Sequence, residues 1–143
     1  MAKTLFSKII DGELSGRFVW EDEVCVAFLT INPLTPGHTL VVPRQEVDHW
    51  LDAPADLREH LFEVAHTIST AIQQVWQPEK VGLMIAGVEV DHLHLHLAAI
   101  NHLADLDFSR ADPDPGDEAL DQAADRLRQA LREMGGAGVS DRG

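Results

Sequence analysis

The chain has 143 residues, 45% of them hydrophobic, and a formal net charge of −13 from 24 acidic against 11 basic side chains. This surplus of carboxylates argues against a protein that tracks nucleic-acid backbones, which needs Lys and Arg to replace phosphate counterions. The single Cys25 rules out an internal disulfide or a cysteine-rich zinc site. The apolar content suits one domain over 1–143. No apolar run is long enough for a signal peptide or a membrane span, so a cytoplasmic protein without a membrane partner is expected.

In chain order, RFVWED and EVCVAFLTI are rich in β-branched and aromatic residues and meet at EDE, which predicts an antiparallel strand pair. NPLTPG is a loop by composition. HTLVVP returns as a third strand that Pro43 ends, and His38 is the first residue past the Pro-Gly turn. With Asp52 as N-cap and Pro54 in the first turn, Leu57, Leu61, Val64, Ala65, Ile68, Ile72 and Val75 recur at helical spacing until Pro78. KVGLMIAG and VEVDHLHLHLAAI then read as two strands turning near Gly87, with His92, His94 and His96 in the second. Residues 105–118 hold six carboxylates and Arg110 around Pro113, Pro115 and Gly116, a solvated loop by composition. Leu120, Ala124, Leu127, Leu131 and Met134 mark an amphipathic C-terminal helix over 117–135, and residues 136–143 are expected to fray. Antiparallel strands with segregated helices predict an α+β fold.

Side chains in a strand alternate faces, so His92, His94 and His96 project to one side and Leu93, Leu95 and Leu97 to the other. Three readings compete for the imidazole row. It is a polar strand face; or a His-x-His-x-His metal site, with Asp91 or Glu89 in support; or a site for phosphate chemistry. In the third, a neutral imidazole whose other nitrogen is held by an acceptor attacks phosphorus, while protonated neighbours donate to the oxygens where charge gathers. His94, flanked on both sides, is the best-placed nucleophile.

HLHLHLA matches the His-x-His-x-His-x-x signature of the histidine triad family. TLFSKIIDGEL, VWEDEVCVAFLTINPLTPGHTLVVPR and the intervening helix are similar to its small nucleotide-binding hydrolase branch, over roughly residues 4–100 in order. The resemblance implies a five-stranded antiparallel sheet with one long helix packed on it and a homodimer, to which the C-terminal helix is an extra. It also implies a purine nucleotide substrate, with hydrolysis or nucleotidyl transfer at the α-phosphorus, phosphoramidates included, and no cofactor. Carried onto this chain, His94 is the nucleophile, His96 and His38 contact phosphate oxygens, and His92 sets the geometry of the row. The base pocket falls to Leu5, Phe6, Ile9, Phe28 and Leu29.

Three departures from the family pattern are visible. Thr4 and Ser7 replace the cysteines, and Glu46 the histidine, of zinc-binding members, so no structural metal is expected. Thr30 stands where an aspartate commonly grips the ribose. Ahead of the triad, AGVEVDH places Val88 and Glu89 where glutamine and a hydroxyl are usual. Glu89 either turns from the phosphate or meets a cationic leaving group. An alternative function is therefore a nucleotide-binding module with weak turnover.

Overall fold

In the computed structural model, which describes residues 3–142, the chain opens with a short helix, α1 (Leu5–Ile10). Thr4 caps it by accepting from Ser7 N at 3.1 Å. Strands β1 (Phe18–Glu21) and β2 (Cys25–Leu29) follow as an antiparallel pair. Their turn is closed by Asp22, whose carboxylate accepts from Val24 N and Cys25 N, each at 2.8 Å. Next come β3 (Thr39–Pro43), the long helix α2 (Ala55–Trp76), β4 (Lys80–Met84), β5 (Leu95–Ile100) and α3 (Asp117–Glu133). All neighbouring strands pair antiparallel in the order β1-β2-β3-β5-β4, the predicted five-stranded α+β arrangement.

The two faces of the sheet are covered differently. Cys25, Ala27, Leu29, Val41, Leu93, Leu95 and Leu97 pack with the buried stripes of α2 and α3 in the larger core. Val26, Phe28, Leu40 and Val42 point the other way, where Phe6 and Ile10 of α1 form a smaller core with Phe18. Because α1 is short, it leaves part of that second face open, and the imidazoles lie there: His96 pairs with Leu40 across β3 and β5 and so shares its face.

Four expectations need correction. Asp52 does not cap α2; it ends a 3-10 turn over Trp50–Asp52, and Pro54 takes the N-cap position, where a missing N–H costs nothing. The triad does not lie wholly in a strand, since β5 begins at Leu95 and residues 85–94 connect it to β4. The ladder cannot extend further back. Pro43 has no N–H and its carbonyl accepts from His92 Nε2 at 2.7 Å, while Leu93 N bonds Val47 O at 2.7 Å. The acidic segment also holds two 3-10 turns, Leu103–Leu106 and Phe108–Arg110. Finally, the tail expected to fray lies along β1: Glu21 N bonds Gly138 O at 2.7 Å and Ser140 N bonds Val19 O at 3.2 Å. Arg142 then stacks 3.7 Å over Phe18. Gly143 lies outside the described residues.

One turn residue is fixed by contact as well as by backbone. Gly37 has φ +87, and a Cβ there would run into the Trp76 ring at the end of α2. His38 is its neighbour. Among the described residues, no helix is long and apolar enough to cross a membrane.

Candidate functional site

Helix α1, the end of β2, the loop before β3 and the segments around 86–90 and 108–113 enclose a cleft of about 1100 Å³. Ten of the residues nominated from sequence line it: Leu5, Phe6, Ile9, Phe28, Leu29, Thr30, Glu89, His38, His94 and His96. His92 does not. It is fully buried behind the others, with Phe6 edge-on at 5.8 Å.

Three backbone groups and one hydroxyl determine which nitrogen of each imidazole carries its proton. A carbonyl only accepts, so His92 donates from Nε2 to Pro43 O, leaving Nδ1 to accept from Thr4 Oγ1 at 2.6 Å. The same rule makes His94 donate from Nδ1 to His92 O at 2.7 Å. Its Nε2 lone pair is then free. Leu34 N donates to His38 Nδ1 at 3.0 Å, so His38 must donate from Nε2 to His96 Nδ1, also 3.0 Å away. His96 is left with its proton on Nε2, which has no protein partner among the described residues. The row thus presents one lone pair, on His94, beside one N–H, on His96. Their rings stand 4.8 Å apart.

Burial disfavours the charged form of all four imidazoles. Burial first, then His96 and His94, push His38 down to about 3. Burial and His94 bring His96 to about 4. His94 is lowered by burial, which outweighs the opposing pull of the His92 carbonyl and Glu89; His92 is lowered by burial against its bond to Pro43. The protonated neighbours expected from the sequence are therefore neutral donors at pH 7.

The cleft also holds residues that sequence reasoning passed over. Phe108 stands 5.0 Å from His96 and 6.5 Å from His38, ring centre to ring centre. Arg17, whose Nε and Nη2 reach Asp121 at 2.7 Å and Asp117 at 3.0 Å, ties the residue before β1 to the start of α3 at the rim. A lone phenylalanine inside an acidic, proline-containing segment was the available signal for Phe108. Elsewhere, His60 on α2 bonds the Asp22 carboxylate at 2.7 Å, and Cys25 is buried. Trp20, His60 and two backbone N–H groups hold Asp22 at about 2 despite its burial. Burial and Asp22 push the Cys25 thiol far up, which makes it inert.

An open antiparallel sheet with a histidine-lined cleft on its less covered face defines an α+β protein with an imidazole-based site. Comparison with known proteins gives the family. The HIT domain model matches residues 11–103, and the chain belongs to the HIT domain family. An uncharacterized HIT-like protein of Borreliella burgdorferi is 38% identical over 104 residues, spanning 68% of this chain and 75% of that protein. A zinc-bound histidine triad family protein of Mycobacterium smegmatis superposes with a TM-score of 0.78 at 27% identity, covering 93% of this chain and 96% of that one. A hypothetical histidine triad nucleotide-binding protein of Sulfolobus tokodaii gives 0.76 at 25% identity, with 90% and 92% covered.

The zinc of the mycobacterial neighbour invites a test of donors here. Thr4, Ser7, Glu46 and His92 do meet: Thr4 N bonds Glu46 Oε1 at 3.1 Å, and the Ser7 hydroxyl with that N–H lowers the Glu46 carboxyl. Two hydroxyls and one carboxylate are poor substitutes for thiolates, and both nitrogens of His92 are already engaged. The set does not fit zinc. Thr4, Ser7, Glu46 and His92 instead form a hydrogen-bonded knot that fixes the row. A single metal shared by the three histidines fits no better, since among the described residues only Nε2 of His94 and of His96 remain unengaged.

Proposed function

We propose that this protein is a nucleotide hydrolase or nucleotidyl transferase that acts at the α-phosphorus of nucleoside phosphoramidates or related nucleotides. A covalent nucleotidyl intermediate forms on His94. The observation that carries the reading is the 2.7 Å bond from His94 Nδ1 to the His92 carbonyl, because it fixes a neutral imidazole with its Nε2 lone pair available in the cleft. The nucleobase lies against Leu5, Phe6, Ile9, Phe28 and Leu29, with Thr30 toward the ribose. His38 orients His96, and the Nε2–H of His96 donates to the phosphoryl group.

As His94 Nε2 bonds phosphorus, the bond from phosphorus to the leaving nitrogen breaks. The anionic phosphoryl group raises the pKa of the adjacent imidazole. His96 therefore takes up a proton on Nδ1 when substrate binds, the bond from His38 Nε2 giving way, and passes its Nε2 proton to the departing amine. Water then attacks phosphorus, frees His94 and releases a nucleoside monophosphate and one proton.

Incubation with an amine phosphoramidate of adenosine monophosphate tests the reading. Release of amine and a nucleotidylated protein, both abolished in His94→Ala, are expected. Val88, 88% exposed, and the exposed Glu89 in place of polar phosphate ligands favour a second reading, a nucleotide-binding module with weak turnover. Nucleotide binding without product release would select it. The homodimer implied by the family resemblance belongs to this proposal too, and light scattering in solution checks it.

A further inference from the structure

Phe108 lines the cleft, yet the mechanism above gives it no task. It is 44% exposed and belongs to neither apolar core, so its ring contributes little to folding where it stands. The backbone nevertheless holds it firmly. The Asp107 carboxylate accepts from Ser109 N at 2.9 Å and from Ser109 Oγ at 2.7 Å, and Arg110 N bonds Asp107 O at 2.9 Å. Asp112 N then bonds Pro33 O at 3.0 Å, and Asn32 Nδ2 bonds Asp112 O at 3.0 Å. These last two bonds tie the segment to the loop that leads into His38. The ring and the imidazoles are thus held in one frame.

Two aromatic walls therefore bracket the site. Phe6, with Phe28 behind it, stands 4.8 Å from His94, whereas Phe108 stands 5.0 Å from His96. With the base against the first wall, and displacement in line at phosphorus, the leaving group departs away from His94 Nε2. Phe108 offers it a flat apolar surface beside the imidazole that donates the proton. The charges nearby discourage an anion there. Asp105, Asp107, Asp112 and Asp114 share the segment with Arg110 alone, and Arg17 at the rim is already engaged by two carboxylates.

We infer that Phe108 determines leaving-group specificity, stacking on a flat apolar or aromatic group that carries no negative charge. The inference rests on the hydrolase reading. Its test uses two adenosine 5′-phosphoramidates that differ only in the amine, an arylethylamine and methylamine. Wild type should prefer the aryl compound by about tenfold in kcat/KM, the worth of one aromatic stacking contact. That ratio should shrink to about twofold in Phe108→Ala and return in Phe108→Trp. The two compounds are also compared by Kd in His94→Ala and in the His94→Ala, Phe108→Ala double variant, where turnover does not intervene. An aryl preference that is the same with and without the Phe108 ring, or an equal loss for both compounds, overturns the assignment. Absent turnover in wild type together with a Kd preference that depends on Phe108 overturns the hydrolase reading alone and upholds Phe108 as the determinant.

Discussion

The two ends of the histidine row differ in what their hydrogen bonds leave over. At the His92 end both ring nitrogens are committed, to Thr4 and to Pro43, and the ring is fully buried. At the other end His94 and His96 each keep one nitrogen that no described residue engages, facing the cleft. Three residues of one type at strict period two thus become a structural anchor, a lone pair and a donor. Backbone carbonyls and amides make that division, and the imidazoles only follow it.

Substitutions can break this contrast from either end. The largest effect belongs to His94→Ala, for which turnover of an adenosine phosphoramidate should fall on the order of 10⁴-fold, as removal of a nucleophile does. Nucleotide affinity and the unfolding midpoint should change far less. His92→Ala should act the other way round. It strands the Pro43 carbonyl and the Thr4 hydroxyl and opens a cavity, so a loss of about 3 kcal/mol is expected in urea unfolding. A variant as stable as wild type would contradict the anchor role.

Acid should separate the two ends next. Protonation removes the His94 lone pair, and burial lowers its pKa below 6.5, so the acid-side bend of the kcat/KM profile should lie below pH 6.5. An inflection at or above 6.5 would contradict the burial effect. Stability moves in the same direction. His38 and His96, at about 3 and about 4, bind fewer protons folded than unfolded between those values and 6.5. Their contribution is complete above pH 6.5 and is lost as pH falls, so the urea midpoint should decline from pH 7 to pH 5. Asp22, held at about 2 from 3.8, adds its own loss only at lower pH. The smallest effect is expected for Thr4→Val, which removes the α1 cap and the partner of His92 Nδ1 for about 1–2 kcal/mol.

Much of this was legible in the sequence where local chemistry decides. β-branched runs marked β1, β2 and β3, the 3.6-residue stripe marked α2, and period two put three imidazoles on one face and three leucines in the core. What stayed hidden depends on distant partners. Thr4 reaches His92 across 88 positions and Pro43 reaches it across 49, and no spacing rule encodes either bond. The Pro43 bond, with that of Leu93 N to Val47 O, stops β5 short of His94. Composition misled at Phe108 and at the tail. Acidic, Pro-rich stretches and Gly-rich ends usually mean solvent, but here the first is tethered to the loop before His38, and the second finds the open edge of β1.

The missing side chain of Gly37 has an optical consequence. The Trp76 indole presses against that turn, one residue before His38, and the guanidinium of Arg126 on α3 lies over the ring, 5.4 Å from its centre. Trp76 is therefore a built-in fluorophore in touch with both the site loop and the C-terminal helix. With Trp20 and Trp50 replaced by phenylalanine, its emission becomes a label-free readout of whether that loop keeps its place when a nucleotide arrives.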